Sequence, residues 1–453
     1  MAQVEAIVAS VQGLSAKKDD WNSLLQQLEG QSDALMQNVR SIDNIVAQLN
    51  PTLHAVGYAF LMHVKVKSGD RNALSEELFL KQVRKLLLEG DAEQLRFLRA
   101  KVCEVCREFT EVCRNSAQAM SGIKSLTAAV EKLRPTPEHL TSVHADLLQL
   151  CLAAKCFKAG LSVVSQRVLA VSKDSLQARD FVLYFYYGGM LLAALKQFKA
   201  ALDMFHLAFT MPCQSLNEIV VECYKKYVLV SLIAHGEVLS LPKYTLNLVQ
   251  RLGKTCCADY HDLAHTVSNG KAGEVAAWVD KHREALRKDG NLGLAKQVLA
   301  AGYRRSILAL TQTFVTLSLA DIAEQVALPD PNTVKAQILA MIDEGELVAT
   351  MDEEKGMVSF EAEPEKTSAQ QLLQRLVGEI EVSLGLNEKL RQVQENVAAS
   401  QAYLAKVSQQ ERQSRWGEPG GVSGEGWGAG SAADEMLDVG EKPPGFNYGR
   451  PTQ

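Results

Sequence analysis

The chain has 453 residues, of which 47% are hydrophobic and 22% are charged, and it contains only 12 prolines. This balance is typical of a globular protein with a large core and favours helix, with room for roughly three domains or one long helical array with appended modules. A net charge of −5 argues against non-specific binding to nucleic acid or to an anionic membrane.

No run of about 18 apolar residues occurs, so no membrane-spanning helix is expected. The opening residues MAQVEAIVASVQGL carry a glutamate and lack both a basic start and a continuous apolar run, so a secretory signal is not expected either. The nine cysteines are odd in number and scattered through apolar helical patterns. We therefore expect buried thiols in a reducing compartment, not a disulfide framework.

Residues 1–134 are predicted to form N-terminal helical repeats. Segments such as WNSLLQQL and LSEELFLKQVRKLLL place apolar residues three and four positions apart, which is the spacing of amphipathic helices. No repeat period is evident in this part of the chain, so the prediction there is of helices alone.

Residues 135–310 are predicted to form stacked helical hairpins of the tetratricopeptide type, as a right-handed solenoid. Three segments align on Phe157, Phe198 and Val238 with a period of about 40 residues, within the range of such repeats. In the clearest copy, Gly189 stands where the two helices of a hairpin must approach closely. A single hairpin cannot bury its apolar face, so neighbouring copies must stack.

Residues 311–363 are predicted to form a winged helix. Ser318 can cap a first helix, Pro331 suits the first turn of a second, and Gly345 ends that second helix. The runs ELVATM and GMVSF then predict a β-hairpin, with Gly356 in the turn as a residue suited to positive φ. The predicted buried face of the second helix comprises Val334, Ile338, Met341 and Ile342.

Residues 364–413 are predicted to form one long amphipathic helix, in which Gly378 and Gly385 are weak points. Its apolar stripe comprises Leu373, Leu376, Ile380, Leu384, Leu390, Val393 and Val397. The remaining residues, 414–453, are rich in glycine and proline, and we predict a disordered tail. The predicted fold class is therefore mainly α: a helical-repeat solenoid, then a winged-helix module, then a long C-terminal helix.

Two histidines in the sequence HDLAH, His261 and His265, have the spacing of two zinc ligands on a metalloprotease helix. Asp262 stands where such an enzyme has its glutamate base, and the nearest downstream third ligand is His282. A structural helix face is the favoured interpretation, because the pair lies inside a weak repeat.

Cys103 and Cys106 form a CxxC motif, but they lie with Cys113 on one face of a predicted helix, and no matching second pair is near in sequence. Buried cysteine is therefore favoured over a zinc site. The sequence contains no phosphate-binding loop, dinucleotide-binding turn or nucleophile elbow. We predict no catalytic residue, no cofactor and no metal.

A winged helix usually binds DNA, with its second helix in the major groove and cations around it. Between Ser318 and Phe360, however, there are nine acidic residues, two lysines and no arginine. Such a surface repels phosphate, which argues against DNA binding. A basic cluster lies upstream, in KHREALRKDG and at Arg304 and Arg305, and is interpreted as a solvated helix face or a patch for an acidic protein.

Protein binding is the function that these elements favour. A winged-helix hairpin has an exposed edge strand that can continue a sheet into another molecule. A solenoid offers a long concave surface, and an amphipathic helix can join a helical bundle or pack on its own chain.

The order of these elements resembles the PCI-domain family, named for the proteasome lid, the COP-nine signalosome and an initiation factor. The runs LTSVHADLLQLCLAAKCFKAGL, FYYGGMLLAALKQF, LADIAEQVAL and MIDEGELVATMDEEKGMVSF are most similar to signalosome members, over residues from about 135 to 365. A proteasome-lid subunit is the alternative within the family, and an initiation-factor subunit is a third. The glycine-rich tail departs from the family.

The resemblance implies a non-catalytic scaffold in a complex of nucleus and cytoplasm that removes Nedd8 from cullins and so regulates cullin-RING ubiquitin ligases. It implies assembly through winged-helix edges and a helical bundle, with the first and eighth subunits as direct neighbours and without nucleic acid or membrane as partners. The zinc isopeptidase motif of the catalytic subunit begins with H-x-H, which this chain lacks. The implied interface residues are Leu347, Val348, Ala349, Met357, Val358 and Phe360 in the sheet, and Leu373, Leu376, Ile380 and Leu390 in the helix.

Overall fold

A computed structural model of the chain describes residues 2–416, apart from 16–17, 38, 69–75, 172–175, 212–216, 246, 248, 252–255, 270–271, 329, 353–355 and 362–368. The predicted mainly α fold, a helical-repeat array followed by a winged helix, is confirmed. The chain divides into two compact units, residues 1–363 and residues 364–453, which are described separately. All but the first three residues of the predicted disordered tail lie outside the described part.

The described residues up to 133 form α1 (Ala2–Leu14), α2 (Trp21–Gly30), α3 (Ser32–Gln37), α4 (Val39–Gln48), α5 (Ala55–Lys67), α6 (Glu76–Glu89), α7 (Ala92–Phe97), α8 (Arg99–Asn115) and α9 (Ala119–Leu133). Lys65 of α5 is fully buried, and its ammonium group contacts the carboxylate of Asp43 at 2.5 Å. The side chain of Gln82 donates to the same carboxylate at 2.9 Å. This hydrogen-bonded pairing compensates for burying the lysine charge.

The middle of the chain contains β1 (His139–Leu140), α10 (Ser142–Ala153), α11 (Phe157–Val164), β2 (Ala170–Val171), α12 (Ala178–Ala194), α13 (Phe198–Thr210) and α14 (Glu218–Ala234). The short strands β1 and β2 pair in parallel, with His139 opposite Ala170 and Leu140 opposite Val171. The sequence did not predict these strands, because two residues are too few for an alternating pattern.

Left-handed residues mark the turn inside successive hairpins. Positive φ angles occur at Ala117, Lys155, Lys196, Gly236 and Gly290. At Lys155 and Lys196 the next amide donates to a carbonyl five residues back, which is the Schellman arrangement that ends a helix. Ala117 precedes the same arrangement, so the repeat of about 40 residues begins earlier than the sequence pattern indicated. The earlier start of the repeat could not be recognised from the sequence, because only two of these five left-handed residues are glycine.

Gly189 occupies the close contact that its position in the repeat predicted. A methyl group added at Gly189 would lie 2.6 Å from the ring of Phe205, which is fully buried. Ala201 and Ala208 on the same helix as Phe205 are also fully buried. The absence of a side chain at Gly189 therefore lets α12 and α13 pack closely.

The helices that follow are α15 (Ala258–Ser268), α16 (Ala272–Lys281), α17 (Arg283–Lys288) and α18 (Leu292–Thr311). The carboxylate of Asp289 joins them to α14, because it accepts hydrogen bonds from Lys225 at 2.9 Å and from the hydroxyl of Tyr260 at 2.7 Å. Burial opposes the charge of Asp289, but these two hydrogen bonds outweigh it and hold its pKa below the ordinary value.

The winged helix comprises β3 (Thr316–Ser318), α19 (Leu319–Val326), α20 (Pro331–Asp343), β4 (Ala349–Asp352) and β5 (Met357–Phe360). The amide of Asp321 donates to the hydroxyl of Ser318 at 3.1 Å, which confirms the predicted helix cap. Gly345 and Gly356 have φ angles of 70° and 61°, as their positions predicted. Val334, Ile338 and Met341 are fully buried, and Ile342 packs against them.

The helix α18 belongs to two hydrophobic cores. Ala295 and Val298 lie in the core of the repeats, whereas Ile307 lies in the core of the winged helix. The guanidinium of Arg305 donates to the carbonyl of Leu232 at the end of α14, at 2.7 Å. Gly236, just beyond, has a φ of 83° and no room for a methyl group beside Arg305.

The second unit contains α21 (Ala369–Ala398) and α22 (Gln401–Trp416). The first of these helices runs through Gly378 and Gly385 and ends at Ala398. Just beyond it, the hydroxyl of Ser400 donates to the carbonyl of Val397 at 2.7 Å. The amide of Tyr403 approaches the same hydroxyl, so Ser400 also caps α22. Among the described residues, no helix combines the length and the hydrophobicity that crossing a membrane requires.

Asp146 is a buried carboxylic acid on α10, the helix that packs against α8 and α12. Its side chain is 8% exposed, and its Oδ2 atom has no hydrogen-bond partner in the described part of the chain. Burial raises the pKa of Asp146 to about 7, although Arg107 opposes the shift. Arg107 is held by Asp180 at 2.7 Å, so its charge is shared between the two acids. In the folded chain, Asp146 therefore keeps its proton up to a much higher pH than an ordinary carboxyl group does.

Replacing Gly189 with alanine is expected to destabilise the chain by about 1–3 kcal/mol, because the buried ring of Phe205 leaves no room for a methyl group. Gly302→Ala in α18 is the matched control, since nothing lies within 4 Å of the added methyl group there. Alanine favours helix by up to about 1 kcal/mol over glycine, so the control is expected to be neutral or stabilising. Urea unfolding of the full chain measures both, and equal effects of the two substitutions would contradict the packing argument.

Asp146→Asn is expected to stabilise the chain more at pH 8 than at pH 5. The folded pKa of Asp146 is about 7, above the ordinary value of 3.8, so the neutral acid stabilises the fold at low pH and this contribution is lost as the pH rises through 7. Asparagine stays neutral, and the difference between the two proteins is expected to grow by about 2–3 kcal/mol from pH 5 to pH 8.

Burial lowers the pKa of the neighbouring His144 to about 4, so protonation of His144 destabilises both proteins alike at acidic pH. Its effect cancels in the comparison of the variant with the unmodified chain. Urea midpoints measured at both pH values test the prediction, and a difference that does not change with pH would refute it.

Candidate interaction surfaces

The winged-helix sheet has three strands in the order β3-β5-β4, all antiparallel. Strand β5 is the central strand, with Val358 opposite Leu317 on one side and Met351 on the other. The unpaired edges of the described sheet therefore belong to β3 and β4. Each offers backbone N–H and C=O groups to which a strand of another molecule could add.

The interface residues predicted in the sheet differ in exposure. Leu347, Val358 and Phe360 are buried in the core of the winged helix, with Val358 fully inaccessible. The others, Val348, Ala349 and Met357, are half-buried. The buried three therefore hold the strands in place, while the half-buried three remain accessible in part. Whether any of them meets another subunit stays a prediction.

Two exposed apolar residues border the open edge of β3. Val315 is 75% exposed and Phe314 is 38% exposed. The carbonyl of Val315 accepts from the amide of Phe360 at 2.8 Å, which extends the pairing of β3 with β5 by one bond. Strand β3 was not predicted from the sequence. The signal was present in the run TFVTLS, which is rich in β-branched and aromatic residues.

Arg304 and Arg305, considered as a basic cluster from the sequence, are engaged within the chain. Arg304 forms ion pairs with Glu344 and with Glu346 at the end of the winged helix's second helix. The hydrogen bond from Arg304 holds the pKa of Glu344 below its ordinary value. Lys196, from the repeats, also reaches Glu344 at 3.3 Å. Arg304 and Lys196 therefore link the acidic end of the winged helix to the repeats, while Arg305 is bonded within the repeats.

The histidines of the HDLAH sequence have separate partners. The ring of His261 stacks on Tyr224, and its Nε2 atom lies 3.1 Å from the Tyr224 hydroxyl. His265 contacts Asn269 at 3.2 Å, and His282 stacks on Trp278. Across the described ranges, no three side chains of His, Cys, Asp or Glu converge so that they could hold a metal ion.

The described cysteines form no disulfide with one another, and most of them are buried. Cys103, Cys106 and Cys113 lie inside the repeats, as predicted. Burial raises the pKa of Cys106 well above that of a free thiol, and the nearby thiol of Cys103 adds to this shift. A thiol held neutral in this way is a poor nucleophile and a poor metal ligand.

The long helix of the second unit exposes its apolar side chains. The four residues predicted as interface there are between 53% and 63% exposed: Leu373, Leu376, Ile380 and Leu390. Within the second unit, these side chains remain open to solvent. Such a row of exposed aliphatic residues is typical of a surface that a partner covers.

Comparison with known proteins bears on both units. The family described as "COP9 signalosome complex subunit 3, N-terminal helical repeats" matches residues 18–249, and the family described as "PCI domain" matches residues 279–362. A protein from Arabidopsis thaliana named COP9 signalosome complex subunit 3 is 33% identical over 416 residues, which cover 92% of this chain and 96% of the relative. A protein of the same name from Dictyostelium discoideum is 33% identical over 400 residues, covering 87% and 94%.

The PCI match extends over the winged helix and the helices α17 and α18 that lead into it. The repeat match extends over most of the N-terminal array. The resemblance that the sequence motifs indicated is thereby confirmed, and the chain belongs to the family of COP9 signalosome complex subunit 3, with a PCI domain after its helical repeats.

Proposed function

We propose that the chain is a non-catalytic scaffold subunit of the COP9 signalosome, the complex that removes Nedd8 from cullins and so regulates cullin-RING ubiquitin ligases. The observation that carries the proposal is the similarity to two signalosome subunits along nearly the whole of both relatives. The geometry supports it, because the open edges of β3 and β4 and the exposed side of α21 are surfaces for protein contact.

In this proposal, the winged helix adds its sheet to that of a neighbouring subunit. Val348 and Ala349 line the β4 side, with Leu347 and Met351 near them, and Val315 lines the β3 side. Leu347, Val358 and Phe360 contribute to this contact indirectly, because they form part of the core that holds the strands in place. The first and eighth subunits of the complex are the proposed direct neighbours, and the chain is proposed to act in both nucleus and cytoplasm.

Leu373, Leu376, Ile380 and Leu390 are proposed to enter a helical bundle with other subunits. The exposure of each by more than half in the second unit supports this. Covering them removes aliphatic area from water, at about 25 cal/mol for each Å². Membership in a proteasome lid or an initiation factor is disfavoured, because both full-length relatives carry the signalosome name.

Affinity purification of the tagged full chain from cell extract is expected to recover the other signalosome subunits in stoichiometric amounts. Ending the chain at Glu363 is expected to lower that recovery by at least about tenfold, because the exposed apolar side of α21 is removed. Circular dichroism of the shortened chain checks that the repeats still fold. Recovery of proteasome ATPases without signalosome subunits would overturn the assignment, and full recovery after truncation would overturn the role of α21.

Val315→Lys is expected to lower recovery of one neighbouring subunit by about tenfold, because a lysine at an open sheet edge disfavours the addition of another strand. Leu339→Lys is the matched control. Leu339 is 44% exposed on α20, so the change is also from an exposed aliphatic residue to lysine in the same module.

The control is expected to leave recovery within about twofold, since isolated exposed apolar residues contribute little. Quantitative mass spectrometry of the purified complexes compares the two variants. Equal losses from both, or a loss from the control alone, would exclude the β3 edge as the contact surface.

A further inference from the structure

A cavity lies in the first unit where the end of α14 meets α15, α16 and α18. Its volume is about 390 Å³, at the small end of the range that ligand sites occupy. His235, Glu237 and Ala309 line it and are exposed, so the cavity opens to solvent. None of its described lining residues belongs to the winged-helix sheet or to α21, so a site here does not depend on the proposed scaffold function.

Part of the cavity wall is aliphatic. Val275 and Val298 are buried there, and Val267 and Leu299 are half-buried. Gly302 of α18 also lines the cavity, and a methyl group added at Gly302 would have no atom within 4 Å of it. This wall therefore leaves room for an aliphatic group beside α18.

Arg305 brings a positive charge to the same cavity. Its guanidinium donates from Nη2 to the carbonyl of Leu232 at 2.7 Å and from Nε to the carbonyl of Ala301 at 3.3 Å. Its remaining N–H donors are unused within the described part of the chain. Across the same residues, no acidic side chain forms an ion pair with Arg305, although Glu237 lines the cavity. The two carbonyls that it contacts carry only partial charges.

The neighbouring arginine shows the contrast. Arg304 forms ion pairs with Glu344 and Glu346, and the hydrogen bond to Glu344 is the main cause that raises its pKa. For Arg305, burial lowers the pKa, and no carboxylate opposes the shift. A half-buried cation without an acidic partner is a site to which an anionic ligand can supply the missing charge.

Two hydroxyl groups complete the polar part of the cavity. The hydroxyl of Ser306, next to Arg305 on α18, has no hydrogen-bond partner among the described residues. The hydroxyl of Ser268 on α15 donates to the carbonyl of Ala264 at 3.0 Å, which leaves its oxygen able to accept. The cavity therefore combines a planar cation, a free hydroxyl donor, a hydroxyl acceptor and an aliphatic wall.

We propose that this cavity binds an aliphatic carboxylate, supplied by the C-terminal residue of another protein chain that ends in leucine, isoleucine or valine. The fork of a guanidinium matches the two oxygens of a carboxylate. The aliphatic wall receives the last side chain, and the hydroxyls of Ser268 and Ser306 hydrogen-bond to the last peptide groups. A phosphate ligand fits less well, because phosphate sites in proteins use clusters of arginine, whereas here one arginine lies beside the acid Glu237.

Peptide binding to the purified full chain tests the proposal. The probe is a fluorescein-labelled pentapeptide that ends in valine and leucine with a free carboxylate, and its control is the same peptide with an amidated C-terminus. Fluorescence anisotropy is expected to give a dissociation constant of about 0.1–1 mM for the free acid and one at least about tenfold higher for the amide. No binding of the free acid at millimolar chain concentration, or equal binding of acid and amide, would overturn the proposal.

Competition with N-acetyl-leucine distinguishes the two sources of such a carboxylate. If a chain end is the ligand, N-acetyl-leucine is expected to compete at least about fivefold more weakly than the unlabelled pentapeptide, because it lacks the peptide groups that meet the hydroxyls. Equal competition would support the carboxylate site and overturn a protein chain end as its ligand.

Gly302→Leu places an aliphatic side chain in the cavity without changing Arg305, and it is expected to weaken binding of the free-acid peptide by at least about tenfold. Gly293→Leu is the matched control, since Gly293 lies on the same helix, is exposed and also has no atom within 4 Å of an added methyl group. The control is expected to change binding by less than about twofold. Circular dichroism confirms the fold of both variants, and equal losses would exclude this cavity as the site.

Arg305→Gln is expected to weaken binding of the free acid by at least about tenfold and to leave the amide unchanged, so that the two peptides bind alike. Glutamine retains an amide donor for the carbonyl of Leu232, which limits the effect on folding. Arg304→Gln is the matched control, expected to act by less than about twofold because Arg304 pairs with Glu344 and does not line the cavity. A folded Arg305→Gln variant that still prefers the acid over the amide would overturn the proposal.

Discussion

The shared helix α18 is the constraint on which the first unit depends. Its N-terminal half completes the core of the repeats through Ala295 and Val298, and its C-terminal half completes the core of the winged helix through Ile307. A continuous helix of 20 residues has no joint at which the two cores could turn independently. The direction in which the edges of β3 and β4 face is therefore set by the stacking of the repeats.

The ion pairs around Arg304 reinforce this arrangement but do not create it. Arg304 is about a quarter exposed, and Glu344 and Glu346 are more exposed still, so each pair contributes at most about 1 kcal/mol. The buried contacts of Ile307 contribute more, since fully burying an aliphatic side chain is worth roughly 1.5–3 kcal/mol. The charges contribute to specificity more than to stability, because they favour one orientation of the acidic winged helix on the repeats. The acidity of the winged helix thus matches the cations that pair with it, Lys196 and Arg304.

Features determined by local chemistry could be predicted from the sequence, and features determined by a distant partner could not. Ser318, Gly345 and Gly356 act within a few residues, so their roles as cap, helix end and turn were predictable. Lys155 and Lys196 adopt a left-handed conformation that their side chains do not favour, because the packing of each hairpin imposes it.

The same division holds at the candidate interfaces. The hairpin of β4 and β5 was predictable. The central position of β5 in the sheet was not, because it depends on pairing with β3, which lies about 40 residues upstream. The exposed stripe of α21 was also predictable as a set of residues. The relative direction of its two halves emerges only when the helix is known to continue through Gly385, because a break there would have reset the direction of every later side chain.

The proposed contact surfaces are distributed over two units, which has a consequence for binding strength. A sheet edge that adds one short strand and a helix face of three turns are each modest contacts. When one chain carries both, the second contact forms at a high effective concentration after the first, and the two together retain the chain far longer than either alone. A scaffold built in this way needs no deep pocket and no reactive side chain. It does require that the open sheet edge and the apolar side of the helix are not covered by the unit to which each belongs. Val315 and the apolar side chains of α21 are exposed in this way.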